Sequence, residues 1–349
     1  MSRRRIVIVG AGGYSGAELV SILSRHAHAE VVGLFASARR EKGDQAGKFD
    51  ELFPRYRGVC DLAVQPVEID AVMALKPDAV FLATPHEASV ELAPKLLERG
   101  TVVLDLSAGY RLRDAALYPK HYGFEHSSSS LLSTAVYGLP ELHRSQIATA
   151  NLIAVPGCYP TSAILALSPL VRAGLVKPGT RPIIDSASGV SGAGRGANVK
   201  NLFCEISMQP YGVLSHRHQP EIDAYAGVKT LFTPHLIALD RGILSTMHVD
   251  LVPGTTADKI SATYAAAYAN EAFVRLLPAK SFPAIADVRN TNFCDIGWAL
   301  DAEHGHLIAV SSIDNLVKGA AGQAIQCMNI RFGIAETEGL GGKRVGGGA

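Results

Sequence analysis

Apolar positions fall into two different rhythms before and after Ala154. In the first region, short wholly apolar runs at residues 6–9, 31–36, 79–83 and 102–106 read as strands buried on both faces. Between them, residues 14–26, 69–75 and 86–98 repeat apolar side chains every three or four positions, the period of a helix. Strands alternating with helices predict right-handed crossovers and a parallel sheet, the doubly wound Rossmann form of α/β architecture. In the second region, residues 182–186, 229–234, 244–252, 293–300 and 307–313 read as strands, with only two long helical patterns, 162–173 and 257–276. Many strands with few crossovers predict an α+β domain with a mostly antiparallel sheet covered by helices on one face.

A last helical pattern at 318–330 carries small residues, Gly319, Ala320, Ala321, Gly322 and Ala324, which permit close packing. It is expected to return to the first region. The expected division is therefore residues 1–154 with 318–349 as a dinucleotide-binding domain, and 155–317 as a catalytic and oligomerising domain. The glycine-rich stretch 339–349 is expected to be disordered. The length of 349 residues agrees with two cores rather than one.

Composition narrows the partners. With 33 basic against 32 acidic side chains, no net field draws the chain to nucleic acid or to an anionic membrane. No run approaches the length of a membrane span, and the apolar stretch after Arg3, Arg4 and Arg5 is too short for a signal peptide. The five cysteines are scattered, without metal-ligand spacing, as expected of reduced thiols in a cytoplasmic protein.

The segment Gly10-Ala11-Gly12-Gly13-Tyr14-Ser15-Gly16 joins the first strand to the first helix. Glycines there allow a tight turn and the approach of a pyrophosphate to free N–H groups at the helix start, or they serve packing alone. The second strand ends in Ser37, Arg39 and Arg40, with no acid to grip ribose hydroxyls. Hydroxyl and guanidinium groups suit a 2′-phosphate, so the expected cofactor is NADP; two solvated arginines are the plainer alternative. A thiol at Cys158 follows a Pro-Gly turn and precedes an apolar helical pattern, where the positive end of a helix favours thiolate. A reactive thiol beside a dinucleotide points to hydride transfer at a thioester.

Three further clusters are candidates. Ser107 and Arg111 follow a strand at the carboxyl edge of the first sheet, where an anionic substrate group would meet them; a surface arginine is the alternative. Ser186, Gly189 and Gly192 stand in a Ser- and Gly-rich stretch suited to backbone packed against a flat ligand, or simply to a mobile loop. His216, Arg217, His218 and Glu221 concentrate charge in six residues and call for an acidic or phosphorylated partner, with Arg217 and Glu221 expected on the substrate. His-x-His also suits a metal, but no third ligand stands out.

The motifs GAGGYSG, LDLSAGYRL, VYGLPEL, VPGCYPT, SGVSGAGR, HRHQPEI, FTPHLIALDRGIL and NLVKGAAGQAIQ occur in that order, from about residue 5 to 333. Together they resemble the N-acetyl-γ-glutamyl-phosphate reductase family of the aspartate-semialdehyde dehydrogenase superfamily. The resemblance implies a homodimer or homotetramer and a small acyl-phosphate substrate in arginine biosynthesis. It places Cys158 on the nucleophile, His216 first and His218 second on the acid/base, Arg111 on the substrate phosphate and Asn315 on the nicotinamide. Leu239-Asp240 departs from the Pro-Met more usual in that family. Reductases of aspartyl phosphate or of carrier-bound aminoadipyl phosphate, and a non-catalytic Rossmann module that keeps a buried Cys158, are the alternatives.

Overall fold

The computed structural model describes residues 3–37 and 47–342. The chain divides into two compact units, Met1–Gly157 with Ala320–Gly341, and Cys158–Gly319 with Gly342–Ala349.

The first unit is built on strands β1 (Arg4–Val9), β2 (Ala29–Phe35), β3 (Val64–Gln65), β4 (Ala79–Leu82), β5 (Val102–Asp105), β6 (Val136–Tyr137) and β7 (Leu152–Ala154). Their order is β3-β2-β1-β4-β5-β7-β6, with every pair parallel. The side chains of β4 are wholly buried, which is why no polar alternation marks it in the sequence. Helices Tyr14–Leu23 and His86–Glu98 supply crossovers. Because β1 lies between β2 and β4, the strand order reverses there, and the crevice at its carboxyl end is where ligands of such sheets bind. The sequence pattern missed β6, β7 and helix Pro140–Ile147; strands of two or three residues are too short to show a period. Helix Gly322–Arg331 belongs to this unit, and the chain after it lies on its surface. Of the tail expected to be disordered, 343–349 lies outside the described residues, and Gly339 rests on the His26 ring.

In the second unit, strands β8 (Ile183–Gly189), β9 (Gln209–Pro210), β10 (Leu231–Ile237), β11 (Ile243–Asp250), β12 (Val274–Leu276), β13 (Cys294–Asp301) and β14 (His306–Ile313) form one sheet. The order is β12-β13-β14-β11-β8-β10-β9; β12/β13 and β8/β10 are parallel and the other pairs antiparallel. The helix expected over 257–276 ends at Tyr268, and Val274–Leu276 is instead an edge strand. Phe273 and Val274 continue the helical period in sequence, but the chain turns at Ala269–Glu271 and buries both side chains.

Helix Cys158–Arg172 packs on β11 and β14, and every side chain from Tyr159 to Leu170 is buried. Pro169 inside it cannot donate to the Leu165 carbonyl, one turn back. The Tyr268 hydroxyl donates to that carbonyl, and the Tyr264 hydroxyl donates to Ala166 O at 2.8 Å. Ser162, one turn beyond Cys158, bonds the Ser245 hydroxyl at 3.0 Å and the Ser311 hydroxyl at 2.7 Å, tying the first turn of the helix to two strands.

Candidate functional site

The glycine loop is shaped by steric limits at its two ends. Gly10 has φ +91°, and a Cβ there would stand 2.2 Å from Ala83 O. A Cβ on Gly16 would stand 2.4 Å from Gly10 O. Between them, Gly12, Gly13, Tyr14 and Ser15 are half-buried, and a Cβ on Gly13 meets nothing nearer than 3.6 Å. Gly13 is the N-cap of helix Tyr14–Leu23, so no side chain caps the first-turn N–H groups. This cradle fits a pyrophosphate. Ser37 lies two residues past β2; Arg39 and Arg40 lie outside the described residues.

At the end of β5, Asp105 is fully buried. It accepts from the Ser107 N–H and hydroxyl, each at 2.9 Å, while the Ser107 oxygen accepts the Gly109 N–H at 3.0 Å. Burial raises the Asp105 carboxyl, opposed by its bonds to Ser107 and Ser89 and by the Arg111 charge. Arg111 is not a surface arginine. It is buried, and donates through Nε to Val155 O and through Nη2 to Leu106 O, each at 2.8 Å. Ser107 and Arg111 thus brace the strand end and the run into Cys158.

In the second unit, Cys158 is the first residue of its helix and half-buried. Pro160 falls in the first turn, where a missing N–H costs no helical bond. The phenol of Tyr159 accepts from the Tyr211 hydroxyl at 3.0 Å and donates to His235 O at 3.3 Å. Burial raises both phenols, Tyr211 to about 12, and the charge of Cys158 adds to both rises. The Tyr159 ring meets His216 edge-on at 5.8 Å and lies 6.3 Å from His218, so it brings both histidines to the start of the cysteine helix.

The two imidazoles differ. His216 Nδ1 accepts the His218 backbone N–H at 3.2 Å, which leaves Nε2 to carry the proton of the neutral ring. Burial, with the His218 and Arg217 charges behind it, pushes His216 down to about 3, against the opposing pull of Glu221. His218 is buried, and its Nδ1–H donates to Glu221 Oε2 at 2.9 Å. His218 caps helix Gln219–Ala226 and Glu221 is its third residue, so both lie on one face. Glu221, expected on the substrate, is 0% exposed and is occupied in orienting His218; Arg217 is exposed.

The residues expected against a flat cofactor are mostly internal. Ser186 is buried, bonded to the Ser245 hydroxyl at 2.7 Å. Gly189 lacks a side chain because the Arg241 main chain passes 2.7 Å from where its Cβ would be. Gly192 is exposed. Asn315 is buried; its Oδ1 accepts the Gly242 N–H at 2.6 Å and its Nδ2 donates to Ser191 Oγ at 3.0 Å. Ser186 and Asn315 therefore hold loops. Sequence reasoning missed Tyr211 and the part of Gly319, whose Cβ would stand 2.7 Å from Cys158 Cβ. Among the described residues, no group of three or more His, Cys, Asp or Glu could hold a metal ion, and no helix is long and apolar enough to cross a membrane.

Two family descriptions match the chain: a semialdehyde dehydrogenase NAD binding domain over residues 5–150 and a semialdehyde dehydrogenase dimerisation domain over 158–315. Among solved structures, aspartate semialdehyde dehydrogenase II of Vibrio cholerae has a TM-score of 0.70 at 18% identity, covering 95% of this chain and 98% of that one. The NADP-bound aspartate semialdehyde dehydrogenase of Candida albicans has 0.67 at 14%, covering 94% and 98%. These two share the fold. N-acetyl-gamma-glutamyl-phosphate reductase of Yersinia pseudotuberculosis is 51% identical over 335 residues, 96% of this chain and 98% of its own. The Salmonella typhi protein of that name is 50% identical over the same span. At such identity across nearly its whole length, the chain belongs to the N-acetyl-gamma-glutamyl-phosphate reductase family.

Proposed function

We propose that the chain reduces N-acetyl-γ-glutamyl phosphate to N-acetyl-glutamate 5-semialdehyde and phosphate with NADPH, a step of arginine biosynthesis in the cytoplasm, as a homodimer or homotetramer. The observation that carries the chemistry is the buried Glu221–His218 pair, held at 2.9 Å beside the tyrosine that follows Cys158. The Cys158 thiolate adds to the acyl carbon, the bond from that carbon to the phosphate oxygen breaks, and inorganic phosphate leaves a thioacyl enzyme. The nicotinamide cofactor, when bound, supplies the hydride that brings the thioester to the aldehyde level.

His218 is the proton carrier. Glu221 fixes its Nδ1–H, so Nε2 takes the proton from the thiol and returns one as the sulfur is released. This puts His218 before His216, the reverse of the order drawn from sequence, because burial pushes His216 far down and its Nδ1 already accepts the His218 N–H. Backbone N–H groups at the start of the Cys158 helix stabilise the transient oxyanion. Arg217, exposed beside the pair, receives the anionic end of the substrate. Gly10, Gly12, Gly13, Tyr14, Ser15 and Gly16 cradle the pyrophosphate, and Ser37, Arg39 and Arg40 the 2′-phosphate.

The test is phosphate-dependent reduction of NADP by the purified protein with N-acetyl-glutamate, aspartate and aminoadipate semialdehydes in turn. Activity with the first alone is the expected result, and Cys158→Ser should abolish it while NADPH still binds. Preference for another semialdehyde overturns the substrate, and near-wild-type activity of the serine variant overturns the covalent route.

A further inference from the structure

We infer that Asp314 and Gly319 are positioning residues for the Cys158 thiol: Asp314 caps the π-turn Val317–Ala321, and Gly319 lets that turn lie against the β-carbon of the nucleophile. The inference rests on Cys158 being the nucleophile. A methyl group on residue 319 would stand 2.7 Å from Cys158 Cβ, 3.1 Å from its Cα and 3.3 Å from Ile313 Cδ1. The first two atoms cannot rotate away, so any side chain at 319 must push the first turn of the helix or the π-turn aside.

The turn is anchored from one carboxylate. Asp314 is 0% exposed, and its Oδ1 accepts the Leu316 N–H at 2.8 Å and the Val317 N–H at 3.1 Å. Its carbonyl accepts the Gly319 N–H at 2.9 Å, the wide five-residue bond of a π-turn. Its Oδ2 accepts the Asn290 N–H at 2.7 Å and pairs with Arg241 Nε at 3.0 Å. Arg241 in turn donates to Asn290 Oδ1 at 2.7 Å. One buried acid thus fixes two N–H groups where the chain enters the turn and, through Arg241, the loop that precedes β11. π-turns are rare and recur at functional sites, and this one lays its backbone against Cys158 Cβ.

The test uses the full chain with Gly319→Ala, Asp314→Ala and Asp314→Asn. It measures kcat and KM, and the rate of iodoacetamide labelling at Cys158 against pH without substrate, read on the Cys158 peptide. Gly319→Ala should lower kcat about 10- to 100-fold, the cost of a misplacement on the order of 1 Å, with KM for the acyl phosphate nearly unchanged and the labelling profile displaced. Asp314→Asn keeps a capping oxygen and should recover most of the labelling rate that Asp314→Ala loses. If both alanine variants only melt earlier, while the folded protein labels and turns over as wild type, the positioning role is wrong. Should Gly319→Ala not fold, the Asp314 pair decides alone. Retained activity in Cys158→Ser would instead remove the nucleophile reading, so the two failures are distinct.

Discussion

Replacing Glu221 by Gln removes one negative charge and almost no volume from a site that solvent does not reach. The carboxylate accepts the Nδ1–H of His218 at 2.9 Å, and the bond matters most when the imidazole is protonated. A hydrogen bond to a charged group contributes about 1.5–3 kcal/mol, where a neutral amide offers about 0.5–1.5 kcal/mol or turns its NH2 toward the ring. Loss of the whole charged bond corresponds to a factor of about 10–150 in rate, each tenfold being about 1.4 kcal/mol. Glu221→Gln should therefore lower kcat within that range and leave KM for the acyl phosphate near its wild-type value, because a fully buried carboxylate meets no substrate. The assay is steady-state consumption of NADPH at varied acyl phosphate, with a thermal melt to show that the variant is folded. A raised KM with kcat intact would refute the reasoning and return Glu221 to the substrate. Glu221→Ala is the poorer experiment, since it also opens a cavity and strands the buried Nδ1–H.

Gly10→Ala should fail to fold or melt far below wild type, because φ +91° and Ala83 O at 2.2 Å both oppose a Cβ, whereas Gly13→Ala should fold normally; equal melting points would refute this. Burial holds His216 near 3 instead of 6.5, so on acidification the unfolded chain takes up this proton first. Stability is then lost from about pH 6.5 downward at up to about 1.4 kcal/mol per pH unit, and His216→Asn should reduce that slope in urea titrations; an unchanged slope would refute it. His218→Asn should remove one limb of the pH–rate profile and His216→Asn should leave it; the reverse pattern would make His216 the proton carrier. Replacing Arg39 and Arg40 by Ala should raise KM for NADPH about tenfold or more and spare NADH, and equal effects on both cofactors would limit the arginines to holding their loop.

The parallel sheet was legible because β1, β2, β4 and β5 are apolar runs separated by long helical patterns, and period carries that information directly. What period cannot carry is an element of two or three residues, such as β6 or β7, or a change of state without a change of phase, as between Tyr268 and Val274. At the site, Cys158 and the histidines stood out by chemistry, yet their partners did not. Ser186, Ser107 and Asn315 have polar side chains that read as ligand contacts in sequence, and only their neighbours in space show those groups already bonded. Glu221 was within reach of local reasoning. His218-Gln219-Pro220-Glu221 has the spacing of a capping box with Pro in the first turn, and Gly227 marks the helix end, so the carboxylate had to fall on the imidazole's face.

Cys158 opens the long stretch of the second unit and Gly319 ends it, and the two residues touch. A stretch of chain whose ends meet can be inserted into a host protein at a single point, because its closure asks almost no extra loop entropy of the host. Gly157 could be spliced to Ala320 by a short linker to give an uninterrupted nucleotide-binding unit. Conversely, the stretch from Cys158 to Gly319 could be moved as one cassette. Cys158 is the first residue of that stretch, so a graft carries its thiol, Gly319 and the His218–Glu221 pair together. New pairings of a nucleotide-binding unit with that stretch are thereby open to recombination without cutting between Cys158 and Gly319.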